Sequence, residues 1–255
     1  MSGNKLNLEA YLDRINYSGN TDVSFNTLQK LHICHTINVP FENLDIIRGK
    51  EILIDTDSIF KKIVLNKRGG CCSELNILFE CLLKSIGFKV RHLMGRPITD
   101  NNTINARIHQ LLLVEADGRK WLADVGFGGN GLISPLPFEE GVVEKQFSEC
   151  FRLITDETHG YILQHRRQEN YYGLYSFTLE ESYPSDHMVA NYFCSKSPYT
   201  IFTRKRFCTR ATKSGRITLI GKELKIRRDG ESTSTIIEGD NEFNRVLKEY
   251  FDLVI

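Results

Sequence analysis

The spacing of apolar residues changes at Gly87. Upstream, Leu75, Leu78, Phe79, Leu82, Leu83 and Ile86 recur in steps of three and one, which places a continuous apolar stripe along one side of a helix. From Phe88 onward the period drops to about two, the spacing of strands whose side chains alternate between two faces. Gly87 can take the left-handed angles that end a helix. The chain therefore reads as helices first and strands afterwards.

Shorter helical patterns precede that helix at Leu8, Tyr11, Leu12 and Ile15, at Phe25, Leu28 and Leu31, and at Ile59, Phe60, Ile63 and Val64. Thr56 and Asp57 are the candidate caps of the third. Strands are predicted over 88–94, 108–115, 119–125, 147–155, 160–166 and 171–178, with Asp117-Gly118 as the sharpest hairpin turn. The segments between them are too short for crossover helices, so the strands must pair antiparallel, as an open sheet or a small barrel. A short helix near 185–194, strands at 216–220 and 223–228, and a terminal helix marked by Phe243, Val246, Leu247, Tyr250 and Phe251 form a mixed third part. The expected fold is α+β, divided into a helical bundle over 1–87, a β-barrel over 88–190 and an α/β lid over 191–255.

A net charge of +1, with Lys and Arg spread along 255 residues, offers no basic stripe for nucleic acid or an anionic membrane. No run is apolar enough to span a bilayer, and the opening segment MSGNKLNLEA lacks the features of a signal peptide, so a cytoplasmic location is expected. The seven cysteines include no CxxC pair. Reduced thiols and no metal are the expectation.

Cys72 stands at the N-terminus of the clearest helix, where the dipole favours a thiolate, and Gly69 and Gly70 before it can take backbone angles that bring the chain tightly into the helix. Cys71 and Cys72 could equally be two buried core thiols. A two-residue turn at Asp117-Gly118 pairs Ala116 with Arg119 and, by the same register, sets Leu111 opposite Asp124. His109 then shares the face of Leu111 and sits diagonally from Asp124, about 7–8 Å away between backbones, within reach of two polar side chains. A satisfied sheet histidine and a strand-end cap would fit the same spacing. His32 and His35, three apart on a helix, have no evident further ligands for a metal. The glycine-rich run from Gly126 to Gly131 lacks the Lys-Ser/Thr ending of a P-loop.

Four segments taken together narrow these alternatives. Arg68-Gly69-Gly70-Cys71-Cys72-Ser73-Glu74-Leu75-Asn76 resembles the RGGxCxExN signature of the arylamine N-acetyltransferases. Leu31-His32 with Pro40-Phe41-Glu42-Asn43-Leu44-Asp45, His109-Gln110-Leu111-Leu112-Leu113, and Asp124-Val125-Gly126-Phe127-Gly128-Gly129 are similar to three further segments of that family, in the same order. The resemblance implies a cysteine-protease or transglutaminase-like core and a Cys72-His109-Asp124 triad. It implies acetyl-CoA as co-substrate, with no permanently bound cofactor, and an arylamine, arylhydrazine or arylhydroxylamine as acceptor. It also implies that Gly126, Gly128 and Gly129 approach CoA, that Phe127 and Ile108 line the acceptor pocket, and that Arg68 and Glu42 brace the nucleophile loop. Gln110, where the family more often has an apolar residue, and Leu132, where it often has proline, imply an atypical pocket. Cysteine hydrolases and transglutaminase-like acyl transferases use the same residue order and form the rival class.

Overall fold

The computed structural model describes residues 6–99 and 104–255; the first five residues of the expected 1–87 bundle lie outside the described residues. The chain begins α1 (Leu8–Arg14), α2 (Phe25–Asn38), β1 (Phe41–Glu42), α3 (Leu44–Ile47), α4 (Thr56–Phe60) and α5 (Cys72–Ile86). Then follow β2 (Lys89–Pro97), β3 (His109–Ala116), β4 (Arg119–Ala123), β5 (Leu136–Pro137), β6 (Val143–Gln146), β7 (Glu149–Asp156), β8 (Gly160–Arg167) and β9 (Asn170–Phe177). It ends with α6 (Pro184–Lys196), β10 (Phe207–Thr212), β11 (Gly215–Ile220), β12 (Glu223–Arg228), β13 (Glu231–Ile236) and α7 (Gly239–Phe251).

Caps and glycines set the helix ends. Ser24 accepts from the Thr27 amide at the start of α2, and Asp55 accepts from the Ser58 amide at the start of α4. The cap of α4 is therefore Asp55, and the expected caps Thr56 and Asp57 already lie in the first turn, where Asp57 still suits the helix dipole. Gly87 ends α5 at φ 113°, as its position predicts.

Strands β2 to β9 form an antiparallel, nearly closed barrel in the order β5-β4-β3-β2-β9-β8-β7-β6. The side chain of Gln146 in β6 reaches the segment leading into β5, accepting from the Ile133 and Ser134 amides and donating to the Ser134 carbonyl. The predicted strand at 147–155 is β7, which starts only at Glu149 because Phe147, at φ 58°, turns the chain there; the strand before that turn, β6, is one the sequence reading did not place.

Strand alternation connects the barrel to the helices. Leu111 and Leu113 of β3 point into the barrel core with Leu93, Leu122, Phe151, Leu163 and Tyr175. Leu112, Val114 and Ala116 point the other way, onto Leu75, Leu78, Phe79 and Leu82 of α5. Each buried Leu or Val among them contributes about 1.5–3 kcal/mol, so β3 holds the two bodies together from both faces. A second sheet, ordered β1-β10-β11-β12-β13, takes its first strand from the helical region, with Phe41 opposite Thr209. Phe243, Val246, Leu247 and Phe251 of α7 close its core. Position 87/88 coincides with the end of α5, whereas 190/191 lies inside α6, which packs beside α5. No helix among the described residues is long and apolar enough to cross a membrane.

Candidate active site

Cys72 occupies the first turn of α5, and Glu74 fixes that turn by accepting from the Cys71 amide at 2.9 Å. Gly69 and Gly70 are needed here for room and not for unusual backbone angles, since neither has positive φ. A Cβ on Gly69 would lie 2.1 Å from the Pro40 carbonyl oxygen, and one on Gly70 would lie 2.9 Å from Cβ of Glu74. Cys71 is buried with its sulfur toward the Glu42 carbonyl at 3.4 Å, and burial pushes its thiol well above the ordinary range. The Cys72 sulfur instead lies 4.0 Å from the Ile108 carbonyl oxygen, in a cleft that Ile108 helps to line.

The β3–β4 hairpin has the register its turn predicts, from Ala116 opposite Arg119 to Leu112 opposite Ala123. Asp124 follows directly after β4, and its Oδ2 is 2.7 Å from Nε2 of His109. Both are buried. Burial alone would drive His109 toward its neutral form, but the charge and hydrogen bond of Asp124, with a further hydrogen bond from Cys72, outweigh it and raise the imidazole to about 10. Burial likewise works against the Asp124 carboxylate, yet His109, Asn76 and the Gly126 amide together hold it below its ordinary value. With Nε2 committed to Asp124, Nδ1 is the nitrogen left for Cys72. The structure thus brings Cys72, His109 and Asp124 together.

Three groups position the carboxylate. Asn76 Nδ2 donates to Asp124 Oδ1 at 3.0 Å, and the Gly126 amide donates to the same oxygen at 2.9 Å. The amide of Asp124 itself donates to Nε2 of His32 at 3.1 Å. That fixes His32 with its proton on Nδ1, which donates to the Ile133 carbonyl at 3.0 Å. Burial lowers His32 to about 4, so it remains a neutral acceptor. His35 meets Tyr11 Oη through Nδ1 at 2.8 Å. The two histidines thus serve packing and orientation, and among the described residues no group of three or more His, Cys, Asp or Glu side chains could hold a metal.

Phe127 stands edge-on to the His109 ring at 5.1 Å, and Tyr175 packs against that ring at 4.8 Å, so the imidazole is held between aromatic neighbours. Gly126 lies so close to α5 that a Cβ would meet Asn76 Nδ2 at 2.7 Å and Cys72 Cα at 2.9 Å. Gly128 adopts φ 84° against the Phe41 ring, whereas a Cβ on Gly129 would have no neighbour nearer than 3.8 Å. Arg68 donates to Glu42 Oε1 from Nε at 2.9 Å and from a terminal nitrogen at 2.6 Å. The same guanidinium is 3.3 Å from Asp45, and Lys62 joins Asp45 at 3.0 Å to Glu74 at 2.8 Å. The chain of charges ends at the carboxylate that holds the Cys71 amide. Tyr175 and Lys62 are site residues that sequence reasoning missed, with no local signal; Asn76 and Asp45 stand in the matched segments but received no role there, and Asn76 also shows as a polar residue on the apolar stripe one turn beyond Cys72.

The sequence matches the N-acetyltransferase family model over residues 24–255. It is 37% identical to the arylamine N-acetyltransferase of Escherichia coli over 83% of this chain and 76% of that one. The chain belongs to the arylamine N-acetyltransferase family. Another relative is the arylamine N-acetyltransferase / N-hydroxyarylamine O-acetyltransferase of Salmonella typhimurium, 36% identical over 83% of this chain and 76% of that one. The structure of the Mycobacterium marinum arylamine N-acetyltransferase in complex with CoA superposes with a TM-score of 0.92 at 32% identity, covering 96% of this chain and 92% of that one. Family membership agrees with the α+β architecture and makes the protein an acyltransferase.

Proposed function

We propose that this arylamine N-acetyltransferase works by a ping-pong route through an acetyl-Cys72 intermediate, with acetyl-CoA as donor and the nitrogen of an arylamine or arylhydrazine, or the oxygen of an arylhydroxylamine, as acceptor. The observation that carries the reading is the 2.7 Å contact between His109 and Asp124, at an imidazole whose charged form Cys72 also favours. An imidazole that keeps its proton up to about pH 10 takes the thiol proton readily and stays cationic beside the thiolate. The thiolate attacks the thioester, and His109 then protonates the departing CoA sulfur. In the second half His109 accepts the proton from the attacking amine. Asp124 keeps the imidazole in one tautomer and stabilises its charge. An arylamine suits this order because it is neutral near pH 7 and attacks without first losing a proton.

Arg68 and Glu42 are assigned the bracing of the nucleophile turn, and Phe127 and Ile108 contact with the acceptor, which approaches from outside the small cavity that Ile108 shares with Cys72. Gly126, Gly128 and Gly129 are assigned to the CoA approach; of the three, Gly129 has the open space for a ligand, while Gly126 and Gly128 keep the turn tight against Cys72 and Phe41.

The test is incubation with acetyl-CoA followed by intact mass. A single acetyl group that maps to Cys72, disappears on addition of an arylamine and is missing in Cys72→Ser is the expected result. Transfer at the wild-type rate by Cys72→Ser, or peptide cleavage without an adduct, would refute it.

A further inference from the structure

Gln110 is fully buried, yet neither its side-chain Oε1 nor its Nε2 has a hydrogen-bond partner. Its backbone carbonyl is satisfied by Asn76 Nδ2 at 2.6 Å, so the anomaly is confined to the carboxamide. By strand alternation it shares the face of Leu112 and Val114, which pack into the apolar core against α5. An apolar side chain would fit that pattern better. A buried primary amide without a partner is destabilising, and in native proteins such a group usually has a functional reason.

The side chain lines a cavity shared with Cys72, Ser73 and Ile108, closed by Phe41 and Phe202. Its volume is about 10 Å³, which admits about one oxygen-sized group and no aromatic ring. That size decides between two roles. A reader of ring substituents on the acceptor does not fit, whereas a partner for the carbonyl oxygen of the acyl group does. His109 and Gln110, as consecutive residues at the start of β3, project to opposite faces of the strand, so the proton-transfer group and an amide donor approach Cys72 from different sides.

We propose that Gln110 is a catalytic residue that donates from Nε2 to the acyl oxygen as it becomes an oxyanion, together with the Cys72 amide, which has no intrahelical acceptor in the first turn of α5. The Cys72 sulfur forms a bond to the acyl carbon, and the carbonyl π pair moves to oxygen, opposite the two donors. When that pair returns, the bond to the CoA sulfur breaks and the CoA thiolate takes the proton from His109. The amine step passes through the same oxyanion. This assignment rests on the acetyl-Cys72 reading.

The experiment compares two reactions of the same thiol in Gln110→Met, a near-isostere without a donor, and Gln110→Glu, which places negative charge where the oxyanion forms. Iodoacetamide alkylates sulfur by displacement at a tetrahedral carbon and generates no oxyanion; acetyl-CoA does. Acetylation in a single turnover should slow by about 100-fold in Gln110→Met and at least as much in Gln110→Glu, while alkylation stays within about twofold of wild type. The melting temperature of Gln110→Met should equal or exceed that of wild type. Acetylation at the wild-type rate in either variant, or alkylation slowed in parallel with acetylation, overturns the assignment. An absent adduct on the wild-type protein overturns the acetyl-Cys72 reading and this one with it, whereas a wild-type adduct with unchanged variants overturns this one alone.

Discussion

Asn76 donates from Nδ2 to the Asp124 carboxylate at 3.0 Å, which ties the acid at the end of β4 to the helix that carries Cys72. The residue lies four positions after Cys72, one turn along the same side of α5. Its amide also donates to the Gln110 carbonyl, and its Oδ1 accepts from the Val125 amide at 3.1 Å, so one side chain sets the spacing between α5, β3 and the turn after β4. Asn76→Ala takes the side-chain partner from the buried Val125 amide and Gln110 carbonyl and leaves Asp124 Oδ1 with the Gly126 amide alone. Urea titration should show a loss of about 3 kcal/mol. Acetylation of Cys72, followed by CoA release, should slow by about 100-fold because the carboxylate loses its alignment.

Gly126 is constrained by the backbone of Cys72. A methyl group there would sit 2.9 Å from Cys72 Cα and 3.0 Å from its carbonyl oxygen, and neither can move without displacing the first turn of α5. Gly126→Ala should cost about 1–3 kcal/mol and depress Cys72 acetylation as well. Gly129→Ala, with its nearest neighbour at 3.8 Å, is the internal control. Its thermal midpoint should match that of wild type, and equal losses in both variants would argue against close packing as the cause.

The parts of this fold that were readable in the sequence are those set by local chemistry. The change of period at Gly87 marks the end of α5, and Asp117 and Gly118, at φ 50° and 71°, form the turn that fixes how His109 meets Asp124. What escaped is non-local or unpatterned. Strand β1 is two residues long and pairs with β10 more than 160 positions away, and β13 is exposed along its whole length, so neither has an alternation to read. The His32 contact to Ile133 spans 101 positions, and its orienting role exists only once the barrel has closed. The need for Gly69 was predicted but for a different reason, because the carbonyl of Pro40 that crowds it is brought there by the fold.

Arg68 and Glu42 form a pair in which the carboxylate is fully buried and the guanidinium nearly so. Removing the cation leaves a charge without a counterion, a much larger penalty than the net worth of the pair. Arg68→Met should lower the unfolding free energy by about 3–5 kcal/mol. Arg68→Lys should recover only part of it, since an ammonium cannot reproduce the two bonds to Glu42 while also reaching Asp45. Full recovery by lysine, read from urea midpoints, would contradict the geometric argument.

His32 and His109 should give stability opposite dependences on pH. His32 is lowered by burial to about 4, so the unfolded chain binds its proton first: the contribution is complete above about 6.5 and is lost as pH falls toward 4, a change of about 3 kcal/mol. His109 is raised to about 10 by Asp124 and Cys72 against its burial, so its contribution is complete below about 6.5 and is lost as pH rises through 10. The two contributions therefore overlap best near pH 6.5. Unfolding free energies from urea titrations between about pH 4.5 and 9 should fall on both sides of that value. His32→Gln should make the acid side shallower, with His35 and His187, which burial also lowers, supplying the slope that remains, and His109→Gln should make the alkaline side shallower, each leaving the other side in place. If His32→Gln kept the acid slope of wild type, the neutral, proton-accepting His32 that holds the Asp124 amide would have to be abandoned.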